Sequence, residues 1–155
     1  MKNACSVLAI FLCLSLGQAL TAHAQGSYDK YLSVGDVEQV TGLRGVRQVA
    51  RGSAPGAGGD LNFADDAGEL VLMVQFAEAK NFAGFKKQYG KAAVSGVGDQ
   101  ATQGASMPGM PDNVLAFTRG SRCVVLTAFG DFVSKKVYLT MDQLTALGKL
   151  IASRL

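Results

Sequence analysis

The chain has 155 residues, 48% of them hydrophobic, and a formal net charge of +3. That is enough for one domain with a core that needs neither disulfides nor metal, and too weak a positive balance to point to nucleic acid. One histidine, three cysteines and no tryptophan narrow the available chemistry further.

Lys2 precedes an apolar run over residues 7–16, and Ala22-His23-Ala24 forms a small-x-small cleavage pattern. These features predict a secretory signal peptide over residues 1–24, a single mature domain over residues 25–155, and a periplasmic or secreted location. Cleavage after Ala24 removes His23, Cys5 and Cys13, leaving a mature domain with Cys123 and no imidazole. Cys13 follows Ile10-Phe11-Leu12, where a lipoprotein leader carries small residues, so plain cleavage is expected. Lys2 is the leader's one charge, which leaves 14 basic and 12 acidic residues. No later apolar run approaches the ~18 residues of a membrane span, so a soluble mature form is expected.

Residues 25–30 are polar and read as a frayed start. Ser33 then opens a helix: its hydroxyl suits the free amide of Asp36, and Leu32 staples onto Val37. Val37 and Val40 give a short apolar face, and Gly42 supplies a left-handed stop. Residues 43–50 read as a strand, and the glycine-rich residues 52–59 as a flexible loop. Residues 60–63 and 70–76 flank an Asp/Gly turn and predict a hairpin. The second run is nearly all apolar, as a strand covered on both faces requires.

A second helix is expected from residue 78 or 81 to residue 89. Phe82, Phe85 and Tyr89 fall at i, i+3, i+7 and face the core, with Lys80, Lys86, Lys87 and Lys91 around the other side. That lysine set reads as a solvated face. A Gly96-Val97-Gly98-Asp99 turn leads into a short strand, and residues 104–112 form a loop around Met107-Pro108-Gly109-Met110-Pro111. The clearest hairpin joins residues 114–119 to 122–129 through Gly120-Ser121, a pair suited to a type II′ turn. Cys123 lies in the second of these strands, where both alternating sets of side chains are mostly apolar. Its thiol is therefore expected to be buried, the alternative being an intermolecular disulfide or a reactive thiol. Residues 131–137 fit loop or strand equally. Thr140 and Gln143 form a second capping box, and Leu139 staples onto Leu144. Leu144, Leu147, Ile151 and Leu155 stripe the final helix.

Antiparallel hairpins with interspersed helices predict an α+β fold: one twisted antiparallel β-sheet with about three helices packed on it. No catalytic residue, metal site or cofactor emerges. Ser-His-Asp and Cys-His schemes need the missing imidazole. Ser27-Tyr28-Asp29-Lys30 has S-x-x-K spacing but lies in the loose start. One cysteine does not make a zinc site. Asp60, Asn62, Asp65, Asp66 and Glu69 cluster as calcium ligands do, yet Ala64 stands where a ligand is needed and Asp65 where glycine is needed. The run Gly56-Ala57-Gly58-Gly59-Asp60-Leu61 lacks the last glycine of a phosphate loop and leads into a strand.

Val94-Ser95-Gly96-Val97-Gly98-Asp99-Gln100-Ala101, a Gly/Pro loop, the hairpin over residues 115–126 and a closing helix ending Ser153-Arg154-Leu155 resemble small exported bacterial proteins of unknown function. Those proteins share a PsbP/LpqN-like α/β/α sandwich. The resemblance implies that fold and no catalytic residues. It implies roles in assembly or in envelope lipid transport. Asp99, between Gly98 and Gln100, is expected to bond local amides and hold a turn. These readings lead to a non-catalytic exported domain that binds a protein or cell-envelope component. The alternative is a periplasmic carrier of a small apolar ligand or lipid. Met107 and Met110, with Phe82 and Phe85, are the expected contact residues, since exposed methionines adapt to varied apolar partners. A monomer is expected, with a Cys123-linked dimer as its alternative.

Overall fold

The computed structural model describes residues 28–53, 56–131 and 133–155. The expected signal peptide lies outside them. Helix α1 (Val34–Thr41) is followed by β1 (Arg47–Gln48), β2 (Leu61–Ala64) and β3 (Leu70–Glu78). A 3-10 turn (Ala79–Asn81) leads into α2 (Phe82–Tyr89), then β4 (Ala92–Ala93), β5 (Gln100–Gly104), β6 (Val114–Arg119) and β7 (Arg122–Ala128). A small pair, β8 (Gly130–Asp131) and β9 (Lys136–Val137), precedes α3 (Met141–Arg154). Among the described residues the fold is α+β: a sheet of seven antiparallel strands in the order β1-β2-β3-β7-β6-β5-β4, with three helices.

Strand β7 lies between β3 and β6 and carries side chains for both faces of the sheet. Val124, Leu126 and Ala128 join Leu72 and Val74 of β3 and Leu115 and Phe117 of β6. This larger core is closed by Val37 of α1 and by Leu144, Leu147 and Ile151 of α3. Cys123 and Val125 point the other way, into a smaller cluster with Val114, Ala116 and Phe82 of α2. Helices therefore cover both faces of the sheet.

Both capping boxes form. The Ser33 hydroxyl accepts from the Asp36 amide at 3.2 Å, and the Thr140 hydroxyl accepts from the Gln143 amide at 3.3 Å. The stapling residues Leu32 and Leu139 are fully buried. Gly42 stops α1 at φ 74°. Gly120 takes φ 56° in the β6–β7 turn while Ser121 keeps a negative φ, the pattern of a type II′ turn.

Four local expectations change. Residues 43–50 yield only two residues of strand, because Gly45 turns left-handed at φ 68°. From Tyr28 onward the start is packed: the Tyr28 ring stacks on Phe76 at 4.4 Å, and Gln48 donates to the Asp29 carboxylate at 2.8 Å. The ambiguous residues 131–137 contribute to the β8–β9 pair, with Lys135 at φ 55° in its turn. Leu155 falls past the end of α3 and is 37% exposed, so the helix stripe ends at Ile151.

Helices α1 and α3 run antiparallel and are tied at both ends. Gln143 Nε2 donates to the Thr41 carbonyl at 3.0 Å. At the other end Arg154 makes a two-pronged contact with Asp36, at 2.7 and 2.9 Å, and also donates to the Tyr31 carbonyl at 3.2 Å. The arginine, aided by the Ser33 amide and hydroxyl, holds the Asp36 carboxyl far below its ordinary range. A depressed carboxylate stabilises the fold fully above its unfolded pKa, about 3.9, and that stability drains away as the pH falls below it. Arg154→Met is expected to lower the unfolding free energy at pH 7 by about 1 kcal/mol. In urea titrations the gap to wild type should close as the pH drops from 5 towards 2; a constant gap would show that the pair contributes nothing.

Candidate functional site

An eight-residue helix such as α2 is about 12 Å long. Strand β3, with nine residues, runs about 30 Å. One short helix thus leaves part of its face of the sheet bare. The gap is a slot of about 230 Å3 between α2 and the loop over residues 105–113. Met73 and Gln75 of β3, Val114 of β6 and Val125 and Thr127 of β7 form its floor, with Tyr89 of α2 at one side and Met107 of the loop at the other. Among the described residues no charged side chain lines it.

Two devices hold the walls. Gly90 and Gly104 let the end of α2 press on β5: a Cβ at Gly104 would overlap the Tyr89 carbonyl, and one at Gly90 would lie 2.6 Å from Thr102 Oγ1. The buried Asn113 fastens the loop. Its amide donates to the Ala128 carbonyl at 2.7 Å and to Ser106 Oγ at 3.0 Å, and its oxygen accepts from the Ser106 amide at 2.8 Å.

Of the four expected contact residues, Met107 lines the slot and is 44% exposed. Met110 does not line it and is buried. Phe82 is buried against the sheet, and Phe85 is half-buried beside Tyr89, the rings stacked with centroids 6.5 Å apart. Both therefore act in holding α2 down, one layer away from the slot. The floor residues Met73, Gln75, Val125 and Thr127 went unseen in the sequence. The available signal was polar: Gln75 and Thr127 interrupt strands otherwise built to be covered on both faces.

Other sequence candidates resolve into structure. The Asp60 carboxylate accepts from the Phe76 amide at 2.7 Å, Asp65 accepts from the Glu69 amide at 2.8 Å, and Asn62 bonds both the amide and the carbonyl of Gly59 at 3.0 Å. The hairpin carboxylates thus hold the β2–β3 connection. Among the described residues no group of three or more His, Cys, Asp or Glu side chains is placed to hold a metal ion. Asp99 binds across the fold and not locally: it accepts from the Gly120 amide at 2.8 Å and from Arg119 at 3.2 Å. Among the described residues no helix is long and apolar enough to cross a membrane.

Cys123 is fully buried under α2, and burial pushes its thiol up to about 11. A disulfide to another molecule would require α2 to lift. Comparison with family models, with curated proteins and with solved structures finds no match.

Two outcomes follow from this geometry. Iodoacetamide at pH 8 should leave Cys123 unmodified in the folded protein and modify it fully in urea, as a mass shift would report; rapid native labelling would mean that α2 opens readily. Gly104→Ala should cost several kcal/mol, because the clash is with backbone and not with a flexible side chain. An unfolding midpoint near that of wild type would show that α2 does not press on β5.

Proposed function

We propose that the chain is an exported, non-catalytic binding module whose slot takes an apolar anchor from a protein or cell-envelope component. The observation that carries this reading is the slot itself: uncharged, floored by side chains of three strands, and about 230 Å3 in volume. Pockets that enclose drug-sized molecules run roughly 300–1,000 Å3. A slot below that range suits one or two apolar side chains, the kind of central anchor that dominates many interfaces. The same magnitude argues against the lipid-carrier alternative, since a whole acyl chain needs more room. Met107 at the rim supplies a soft, adaptable contact. Gln75, Thr127 and Ser106 offer polar groups that orient whatever enters.

Export rests on the leader pattern over residues 1–24, and the PsbP/LpqN-like kinship on the Gly96–Asp99 turn and the closing hairpin. An α+β sheet covered on both faces agrees with that kinship without singling it out. The absence of histidine after His23 supports a non-catalytic role.

The test places a photo-crosslinking residue at position 107 and identifies the captured component from cells that produce the protein. Thr127→Phe, which fills the slot from its half-buried floor, is expected to abolish the crosslink while shifting stability by less than about 1.5 kcal/mol. Undiminished capture by Thr127→Phe would sink the slot as the binding site. A lipid mass retained in native mass spectrometry would sink the anchor reading in favour of the carrier. N-terminal sequencing of the purified protein should begin at Gln25; a retained Met1 would sink the export reading.

A further inference from the structure

A second cleft, of about 520 Å3, opens between the start of β3, the β8–β9 pair and the loop at Gly56. Its size falls within the range of small-molecule pockets, roughly 300–1,000 Å3. Leu70, Phe129, Val133 and Tyr138 give it apolar walls. Two of these side chains face solvent: Val133 is 95% exposed and Tyr138 40%. The two aromatic residues are held side by side, because the Tyr138 amide donates to the Phe129 carbonyl at 2.8 Å. The Phe129 ring is closely backed by the glycine loop, where a Cβ at Gly56 would come within 2.7 Å of it.

Among the described residues Glu69 and Asp131 are the charged side chains in the cleft wall. The Val133 amide donates to the Asp131 carboxylate at 2.8 Å. The Ser134 side chain first, and then this amide, hold the Asp131 carboxyl below its ordinary range. Lys136 faces Asp131 in the β8–β9 register, yet the two form no ion pair among the described residues. Glu69 is also without an ion-pair partner there. A chain of net charge +3 thus presents, at this cleft, two carboxylates beside two aromatic residues, with Lys136 opposite Asp131 in the register and the Arg47 guanidinium near Gly68 but neither in a direct ion pair with them among the described residues. Aromatic faces and carboxylates attract the same kind of ligand, a cation with an apolar body.

We propose that this cleft binds a small organic cation, an amine or quaternary ammonium, with its charge between Glu69 and Asp131 and its apolar body against Phe129 and Tyr138. The site is separate in chemistry from the uncharged slot, although Phe129 borders both. Its occupant is therefore of a different chemical class from what the slot takes.

The test is a titration of the purified protein, followed by amide chemical shifts, with benzyltrimethylammonium as the probe. Benzyl alcohol serves as a neutral analogue and benzenesulfonate as an anionic one, at matched ionic strength. The cation should saturate shifts at Leu70, at residues 129–131 and at Tyr138, at least tenfold more tightly than benzyl alcohol, and benzenesulfonate should produce none. Glu69→Gln and Tyr138→Leu should each weaken the cation at least fivefold. Asp131→Asn is the riskier variant, because Asp131 also holds the hairpin turn; the other two keep the proposal decidable if it misfolds. Equal affinity for the cation and the neutral analogue would overturn the proposal, as would shifts centred elsewhere or wild-type affinity in both Glu69→Gln and Tyr138→Leu.

Discussion

Strand β7 must be buried on both of its faces, and the rest of the molecule is arranged around that requirement. From Cys123 to Leu126 every side chain is buried, and the strand is hydrogen-bonded on both edges, to β3 and to β6. A single strand of this kind buries apolar surface worth about 1.5–3 kcal/mol per large side chain, but only if something covers each face. On one face α1 and α3 do this together, sealed by the Asp36–Arg154 contact and the bond from Gln143 to Thr41. On the other, α2 does it alone. The asymmetry between two helices and one is the source of the slot.

Much of this was legible in the sequence, for physical reasons that differ by element. Capping boxes and staples are local, so Ser33/Asp36 and Thr140/Gln143 could be read without knowing the fold. The apolar runs of β3 and β7 marked central strands because burial on both faces removes alternation. What failed was governed by distant partners. β1 is two residues long because Gly45 breaks the extended run and the pairing with β2 ends nearby. Tyr28 is packed because Phe76 offers its ring, a contact 48 positions away that no local pattern signals. Asp99 looked like a turn residue closing on its own loop, yet its partners lie in the β6–β7 hairpin.

The candidate site was less legible than the fold, because a cleft is made by what is missing. Met107 could be found, since an exposed methionine in a Gly/Pro loop is itself unusual. Met110, equally suggestive in sequence, turns inward. Phe82 and Phe85 carried the right chemistry in the wrong layer: they spend their apolar surface on holding α2 to the sheet. The floor was hidden in strands that read as uniformly apolar, with Gln75 and Thr127 as the two polar exceptions. Polar residues on an otherwise covered face mark the stretch that the helix does not reach.

The same geometry fixes the walls of the slot. Its walls do not depend on side-chain conformation alone. One is fixed by backbone pressed on backbone, where glycine at 90 and 104 brings the end of α2 onto β5. The other is fixed by Asn113, whose side chain bonds the loop at Ser106 and the sheet at Ala128. Such buried amide bonds are costly to break, because each lost partner leaves a polar group unsatisfied. A pre-formed apolar recess spends little ordering entropy when something enters it, so affinity can come from a small contact. A slot too small for a large ligand is thereby suited to the proposed anchor, and it exists because the short helix α2 covers only part of its face of the sheet.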